Sequence, residues 1–255
     1  MRSRVLIVIP ARYGAVRFPG KPLAMVAGVP LVERVRRLCL RVPGRPRVIV
    51  AADDERILRV VRAFGGEARR TRRDHPSGTD RVAEVARATP CDWVVNVQGD
   101  EPLLDPREIA RLIAAMKGRR APSMATLAHP IRDAREFADP NAVKVVRDAQ
   151  GDALYFSRAP IPSFRDAAPS SALRRRCFRH IGIYAFRREF LLRYVRWPKS
   201  FLEKAEKLEQ LRALENGVRI RVLISKDRPV GVDVPGDVRR VERRLRQKRR
   251  AFKGA

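Results

Sequence analysis

Cysteine is scarce in this chain. Cys39, Cys91 and Cys177 are the only 3 in 255 residues, odd in number, far apart and in no C-x-x-C pair. That pattern argues against a disulfide framework or a structural zinc site and suits a reducing compartment. Long uncharged apolar runs are missing as well, so no segment reads as a membrane span, although the 45% hydrophobic content is ordinary for a globular core. The chain passes from Arg4 straight into a strand, without the apolar segment and small-residue cleavage site of a signal peptide. The expectation is a cytoplasmic protein with no membrane insertion. Aromatic residues are few, with 4 Tyr and 2 Trp, and they form no clustered stacking platform, RNP pattern or zinc finger. Acidic residues are also in short supply: 28 Asp+Glu face 56 Lys+Arg, for a net charge of +28. The excess is spread through every segment, and the one dense run is the tail at 239–253. It reads as an arginine-rich surface with no specific nucleic-acid partner, and non-specific attraction to polyanions follows from the charge alone.

What is present is a rhythm of buried strands, each ending in a polar loop. Val5-Leu6-Ile7-Val8-Ile9 reads as a strand buried on both faces, followed by a basic loop that contains Arg12, Arg17 and Lys21 with turn residues Gly14, Pro19 and Gly20. Gly14 to Gly20-Lys21 misses the P-loop spacing by one residue, and Pro22 stands where a metal-binding hydroxyl should be, which excludes a P-loop NTPase. On its own residues the loop reads equally as a cradle for phosphates or as a solvated basic turn. Helical spacing at 31–40, a strand at 47–52 closed by Asp53-Asp54 and a helix at 55–64 stopped by Gly65-Gly66 continue a β-α-β-α order. This is the pattern of a parallel sheet covered by helices.

Ser77 and Thr79 suit the cap of a helix at 80–88, whose N-terminus has the free N–H groups that hold polar or anionic ligands. Trp93 to Val97 is a strand delivering Gln98, Gly99, Asp100 and Glu101 into a turn, and Asp100 there suits either a magnesium ligand or a turn cap. A helix follows with Asp105 as N-cap, Pro106 at N1 and Glu108 at N3. Strands are expected at 124–128, 179–186 and 219–224, a β-hairpin over 142–157, a mobile loop at 163–175 and a short helix at 189–195. One continuous helix is expected at 201–216, its buried stripe made of Leu202, Ala205, Leu208, Leu211 and Leu214. Glu206, Glu209 and Gln210 lie off the stripe's centre, as solvated side chains would. A last helix carries Val238, Val241 and Leu245 on one face.

Several of these loops, in this order, match one family. Ile9-Pro10-Ala11-Arg12-Tyr13, Arg17-Phe18-Pro19-Gly20-Lys21-Pro22-Leu23, Asp74-His75-Pro76-Ser77-Gly78-Thr79-Asp80-Arg81, Val97-Gln98-Gly99-Asp100-Glu101-Pro102, Arg179-His180-Ile181-Gly182-Ile183-Tyr184, Leu208-Glu209-Gln210-Leu211-Arg212 and Gly231-Val232-Asp233 are the principal stretches. Over about residues 5–241 the chain resembles the 3-deoxy-manno-octulosonate (Kdo) cytidylyltransferases. The resemblance implies a single α/β nucleotidyltransferase domain over 1–255, Rossmann-like and three-layered, with a mixed, mostly parallel sheet, a β-hairpin insertion and a basic C-terminal helix from about 236. It also implies an Mg²⁺-dependent homodimer that transfers CMP from CTP to Kdo for lipopolysaccharide biosynthesis.

Residue by residue, the resemblance implies that Arg12, Arg17 and Lys21 clamp the triphosphate and that Asp100 and Asp233 hold the metal, with Arg12, Lys21, Asp100 and Asp233 as the catalytic set. Each cation about 4 Å from a phosphate oxygen is worth roughly 4 kcal/mol at an effective dielectric of about 20, before desolvation. Arg72, Ser77 and Gln98 are expected around the cytidine, with Gln98 also counted toward the second substrate. Arg158 is expected on the sugar carboxylate as a fork donor, and His180, Tyr184, Glu209 and Gln210 on its hydroxyls. Two departures from the family pattern stand out: Ala15-Val16 in place of a hydroxyl pair, and Val234 in place of a capping hydroxyl after Asp233. The rivals are a cytidylyltransferase for an amino-substituted Kdo or a nonulosonate, and a non-enzymatic polyanion binder.

Overall fold

The computed structural model describes residues 4–14, 17–118, 121–166, 168–228 and 230–253, and Ala15-Val16 lie outside it. The chain divides into two compact units, residues 1–110 with 229–255, and residues 111–228. The strands pair in both parallel and antiparallel senses, as expected for a mixed α/β fold.

The first unit is built on a parallel sheet. β1 (Val5–Ala11) lies at its centre, with Leu6 to Ile9 at most 1% exposed. A two-residue hairpin, β2 (Met25–Val26) and β3 (Val29–Pro30), leads into α1 (Leu31–Leu40). β4 (Arg47–Ala52), α2 (Glu55–Ala63), β5 (Glu67–Arg70), α3 (Gly78–Arg87) and β6 (Trp93–Asn96) follow. β1 pairs in parallel with β4 and β6, and β4 with β5, giving the order β6-β1-β4-β5. β5 is a strand the sequence pattern does not announce, because it is only four residues long and none of its residues is buried. The helix boundaries follow local chemistry. Asp54 caps α2 by accepting from the Arg56 amide at 3.0 Å, and Gly65, at φ 70°, takes the left-handed turn that ends it. Ser77 caps α3 through the Asp80 amide at 3.2 Å. Asp105 accepts from the Arg107 amide at 2.8 Å before α4 (Pro106–Ala115).

The second unit holds β7 (Met124–Pro130), α5 (Ala134–Ala138), β8 (Lys144–Arg147), β9 (Ala153–Ser157), α6 (Ser171–Arg174), β10 (Phe178–Arg187), α7 (Arg188–Tyr194), α8 (Phe201–Glu206), α9 (Gln210–Glu215) and β11 (Ile220–Ile224). β8 and β9 form the expected antiparallel hairpin. β11 runs parallel to β7, β7 antiparallel to β10, and β10 antiparallel to β8. α10 (Asp237–Lys253) returns to the first unit, where Val238, Val241 and Leu245 join Val26, Leu31, Leu103 and Val232 in one apolar cluster.

Two expectations need correction. The segment 163–175 is not loop throughout: Ser170 caps α6 through the Leu173 amide at 3.3 Å, a local hydroxyl cap inside a stretch dominated by Ser, Pro and Ala. The helix expected over 201–216 is two helices. Lys207 adopts the left-handed conformation at φ 52° and ends α8, and α9 begins only at Gln210. Ala205 is accordingly exposed rather than part of a buried stripe. Across the break, Arg212 forms a bidentate pair with Glu203, both bonds 2.6 Å, with side chains 6% and 8% exposed. Apolar periodicity alone reads through such a break, because Leu208 and Leu211 remain buried on either reading.

Candidate active site

The basic loop after β1 is organised around Tyr13. Its backbone amide donates to Asp53 Oδ1 at 3.1 Å, and its carbonyl accepts from the Gly20 amide at 2.9 Å. The Arg56 guanidinium lies 3.5 Å from the Tyr13 ring centroid, a cation–π contact. Gly20 takes φ 71°, which only glycine adopts without strain, and the 3₁₀ turn Lys21–Leu23 follows it. The loop is thus tied at both ends, and Lys21 is delivered back toward the carboxyl ends of the parallel strands.

There Lys21 meets the two carboxylates. Its Nζ is 2.6 Å from Asp100 Oδ2 and 3.8 Å from Asp233 Oδ1, and Arg17 lies 3.3 Å from that same Asp233 oxygen. Asp100 and Asp233, 133 positions apart in sequence, therefore share one ammonium. The backbone explains how. The Val232 amide donates to the Asp100 carbonyl at 2.9 Å, and Val232 is fully buried in the apolar cluster that also holds α10. A Cβ on Gly231 would come within 3.2 Å of Glu101 Oε1 and 3.4 Å of the Asp100 carbonyl, so this close approach favours glycine. Gly99 is under the same constraint, since a Cβ there would stand 3.0 Å from the Pro10 carbonyl. Val234 supplies no side-chain cap, but the Asp237 carboxylate accepts from the amides of Asp233 and Val234 at 2.8 and 3.1 Å. That carboxylate, reaching back from the first turn of α10, takes over the task of a capping hydroxyl.

A cavity of about 290 Å³ is lined by Arg12, Ser77, Arg81 and Gln98, among others, and Gln98 stands two residues before Asp100. The Arg12 side chain is exposed and has no ion-pair partner among the described residues. Ser77 lines the cavity while serving as the α3 cap, with its hydroxyl 2.6 Å from Asp80 Oδ2. Gln98 rests against Asn96 at 3.4 Å. Arg72 is placed differently: exposed, it pairs with Asp74 at 3.2 Å and is not part of the cavity lining. Arg81 was not singled out by sequence. It is 3% exposed, pairs with Asp53 at 3.1 Å, and burial above all lowers its pKa, with Arg12 adding like-charge repulsion. A buried arginine with a lowered pKa at a cavity wall has no signature in composition or spacing.

In the second unit His180, Tyr184 and Gln210 form one connected set. The His180 and Tyr184 rings are 5.4 Å apart, and the Tyr184 hydroxyl donates to Gln210 Oε1 at 3.0 Å. The Gln210 amide nitrogen is buried and has no hydrogen-bond partner among the described residues, a donor left for a ligand or water. Glu209 precedes it, and its carbonyl accepts from the Tyr194 hydroxyl at 2.6 Å. The geometry depends on a bulge in β10 between Ile181 and Tyr184, filled from β7 by Thr126. The Thr126 hydroxyl donates to the Ile183 carbonyl at 2.6 Å, so its oxygen accepts from His180 Nε2–H at 2.9 Å and leaves Nδ1 as an acceptor. Thr126 is a contributor that sequence reasoning missed, because a bulge is a pairing feature without a residue signature. Arg158 is anchored on backbone oxygens, donating to the carbonyls of Glu206 at 2.8 Å and Pro140 at 3.1 Å. It has no carboxylate partner for its guanidinium among the described residues.

Burial, with Arg179 adding repulsion, pulls the His180 pKa from 6.5 down to about 3. The ring is therefore neutral in the folded protein at pH 7. Because the folded value is depressed, the stability this group contributes is complete above about 6.5 and is lost as pH falls toward about 3. A pH titration followed by NMR should show no His180 transition between pH 8 and about 5, and His180→Gln should flatten the acid limb of stability against pH.

Residues 6–220 match the family model described as cytidylyltransferase. The chain belongs to the cytidylyltransferases, nucleotide-transferring enzymes. Within that class it belongs with the 3-deoxy-manno-octulosonate cytidylyltransferases. It is 48% identical to that enzyme of Trichlorobacter lovleyi over 96% of this chain and 99% of the relative. It is 50% identical to the same enzyme of Syntrophotalea carbinolica over 95% and 98%. A solved CMP:2-keto-3-deoxy-manno-octonic acid synthetase, complexed with CTP, superposes with a TM-score of 0.89 at 44% identity, covering 96% of this chain and 100% of its own. A 4-diphosphocytidyl-2C-methyl-D-erythritol synthase from Anaerococcus prevotii shares the fold at TM-score 0.63 and 16% identity, over 96% of this chain and 99% of its own.

Proposed function

We propose that this chain transfers CMP from CTP to the anomeric hydroxyl of Kdo, releasing pyrophosphate, and that the product serves lipopolysaccharide assembly in the cytoplasm. The observation that carries the reading is the convergence of Arg17, Lys21, Asp100 and Asp233 on one another, with a cavity lined by Arg12 and by Gln98, two residues before Asp100. Attack on the α-phosphorus places charge on phosphoryl oxygens and on the leaving pyrophosphate, so fixed cations and positioning carry the chemistry. Arg12, Arg17 and Lys21 bind the triphosphate, and Ser77 and Gln98 on the cavity wall belong to the cytidine, with Arg72 reaching it only from outside that lining. Arg158, with no carboxylate of its own among the described residues, takes the sugar carboxylate. Neutral His180, Tyr184, Gln210 and Glu209 take the hydroxyls.

Mg²⁺ fits the donor set. Two carboxylates already gathered on one cation are the sparse protein contribution this ion uses, the rest coming from phosphate and water. When bound, the ion supplies Lewis-acid polarisation of the α-phosphate and a lowered pKa for the attacking hydroxyl. Asp100 and Asp233 would hold it, and Lys21, their counter-ion here, is then available to the phosphates. The homodimer and the single-domain organisation over 1–255 belong to the same reading and rest on family resemblance.

The test is pyrophosphate release from CTP and Mg²⁺ with and without Kdo. Release should require Kdo. Release with an amino-substituted Kdo or a nonulosonate, but not with Kdo, would reassign the sugar acid, and no release with any of them would end the enzymatic reading.

A further inference from the structure

We propose that Asp53 is a positioning residue for the nucleotide, one carboxylate that fixes both walls of the cavity lined by Arg12 and Arg81. The inference rests on the reading that this cavity takes CTP. Asp53 stands just beyond the carboxyl end of β4 and is 5% exposed. A buried carboxylate is costly unless every oxygen is satisfied, and here the two oxygens face different walls. Oδ1 accepts the Tyr13 amide at 3.1 Å, immediately beyond Arg12, and Oδ2 accepts Arg81 at 3.1 Å on the first turn of α3.

The support is continuous on both sides. On the loop side, the Tyr13 carbonyl holds Gly20 at 2.9 Å, so the grip on Tyr13 extends to Lys21. On the helix side, Arg81 also donates to Thr71 Oγ1, which itself donates to the Ala52 carbonyl at 3.1 Å. Arg81 thus bridges two consecutive residues at the end of β4. Arg12 and Arg81 line the same cavity with like charges, and Arg12 disfavours the charged form of Arg81. Without the Asp53 carboxylate Arg81 loses its ion-pair partner and keeps only the attraction of Glu84, which bonds to His75 on the cavity wall, and the Arg12 wall loses the bond that sets its distance from α3. Displacing a triphosphate clamp by even about 1 Å is enough to cost about a hundredfold in catalysis.

The test is calorimetric titration of the full chain with CTP in the presence of Mg²⁺, together with KM for each substrate. The wild type binds CTP. Asp53→Asn, which keeps the shape and removes the charge, should bind CTP at least about tenfold more weakly while KM for Kdo moves less than about twofold. Asp53→Glu keeps the counter-ion for Arg81 but displaces the oxygens. It should retain more thermal stability than Asp53→Asn and still lose CTP affinity, which keeps the test open if the asparagine variant does not fold. Hydrogen exchange gives a readout independent of activity: in either variant the Tyr13 amide should lose protection while the Val8 and Ile9 amides of β1 keep theirs. CTP affinity within about twofold of wild type in both variants overturns the proposal, as does an equal rise of both KM values in step with lost stability. Failure of the wild type to bind CTP would instead overturn the reading of the cavity, and the proposal with it.

Discussion

Asp100→Asn and Asp233→Asn will each reduce turnover by about 10³-fold or more without unfolding the chain. Both substitutions keep side-chain size and remove one of the two carboxylates that share Lys21. If these aspartates hold the metal as proposed, a lost carboxylate takes with it several kcal/mol of charge stabilisation at the α-phosphate, and each 1.4 kcal/mol or so is a factor of ten in rate. Stability should change little in Asp233→Asn, because Asp233 is largely exposed and surface ion pairs are worth at most about 1 kcal/mol, and somewhat more in Asp100→Asn, whose pair with Lys21 is part-buried. Pyrophosphate release measured beside a thermal melt separates the two effects. Near-normal turnover in both variants would remove these aspartates from the metal site. Lys21→Ala tests the same cluster from the other side. With its ammonium gone the carboxylates lose their resident counter-ion, so Mn²⁺ binding without nucleotide, read by electron paramagnetic resonance, should tighten while turnover falls.

The second large effect is on stability. Glu203→Gln will leave the Arg212 guanidinium, 6% exposed, without its bidentate partner. Removing one member of a buried pair typically costs about 3–5 kcal/mol, because the surviving charge stays desolvated. For a chain of this size that corresponds to a fall in melting temperature of roughly 6–20 °C. The double variant Glu203→Gln with Arg212→Met should recover most of the loss, since both charges are then gone. Recovery would mark the pair as a device for joining α8 to α9 and for placing Gln210, rather than as a net source of stability. KM for the sugar acid should remain raised in the double variant if the pair sets that placement.

Much of the strand framework was legible from the chain itself. Five successive apolar residues from Val5 to Ile9 form a strand whose Leu6 to Ile9 are buried, and Ser77 and Asp105 announce their helices through a hydroxyl and a carboxylate cap. Helix α8 ended where no sequence signal pointed. Its left-handed terminus at Lys207 carries no glycine, and the buried ion pair that makes the break tolerable joins residues on opposite sides of it. The bulge in β10 was equally silent, because register between strands is a relation and not a composition.

The sequence by itself determined which residue types could carry the chemistry: a basic loop after the first strand, an aspartate at the end of β6, another after Gly231-Val232, and a family resemblance tying them together. It also excluded a P-loop, through Pro22, and thereby required that any metal be held elsewhere. Only the tertiary structure decided that Asp100 and Asp233 meet on Lys21, through one backbone bond from Val232 and an apolar cluster closed by α10. It alone showed Arg72 outside the cavity lining and Arg81 within it, held by Asp53. The physical reason is the same in each case. Side-chain chemistry is local and can be read along the chain, whereas burial, charge compensation and the distance between two carboxylates depend on elements that only folding brings together.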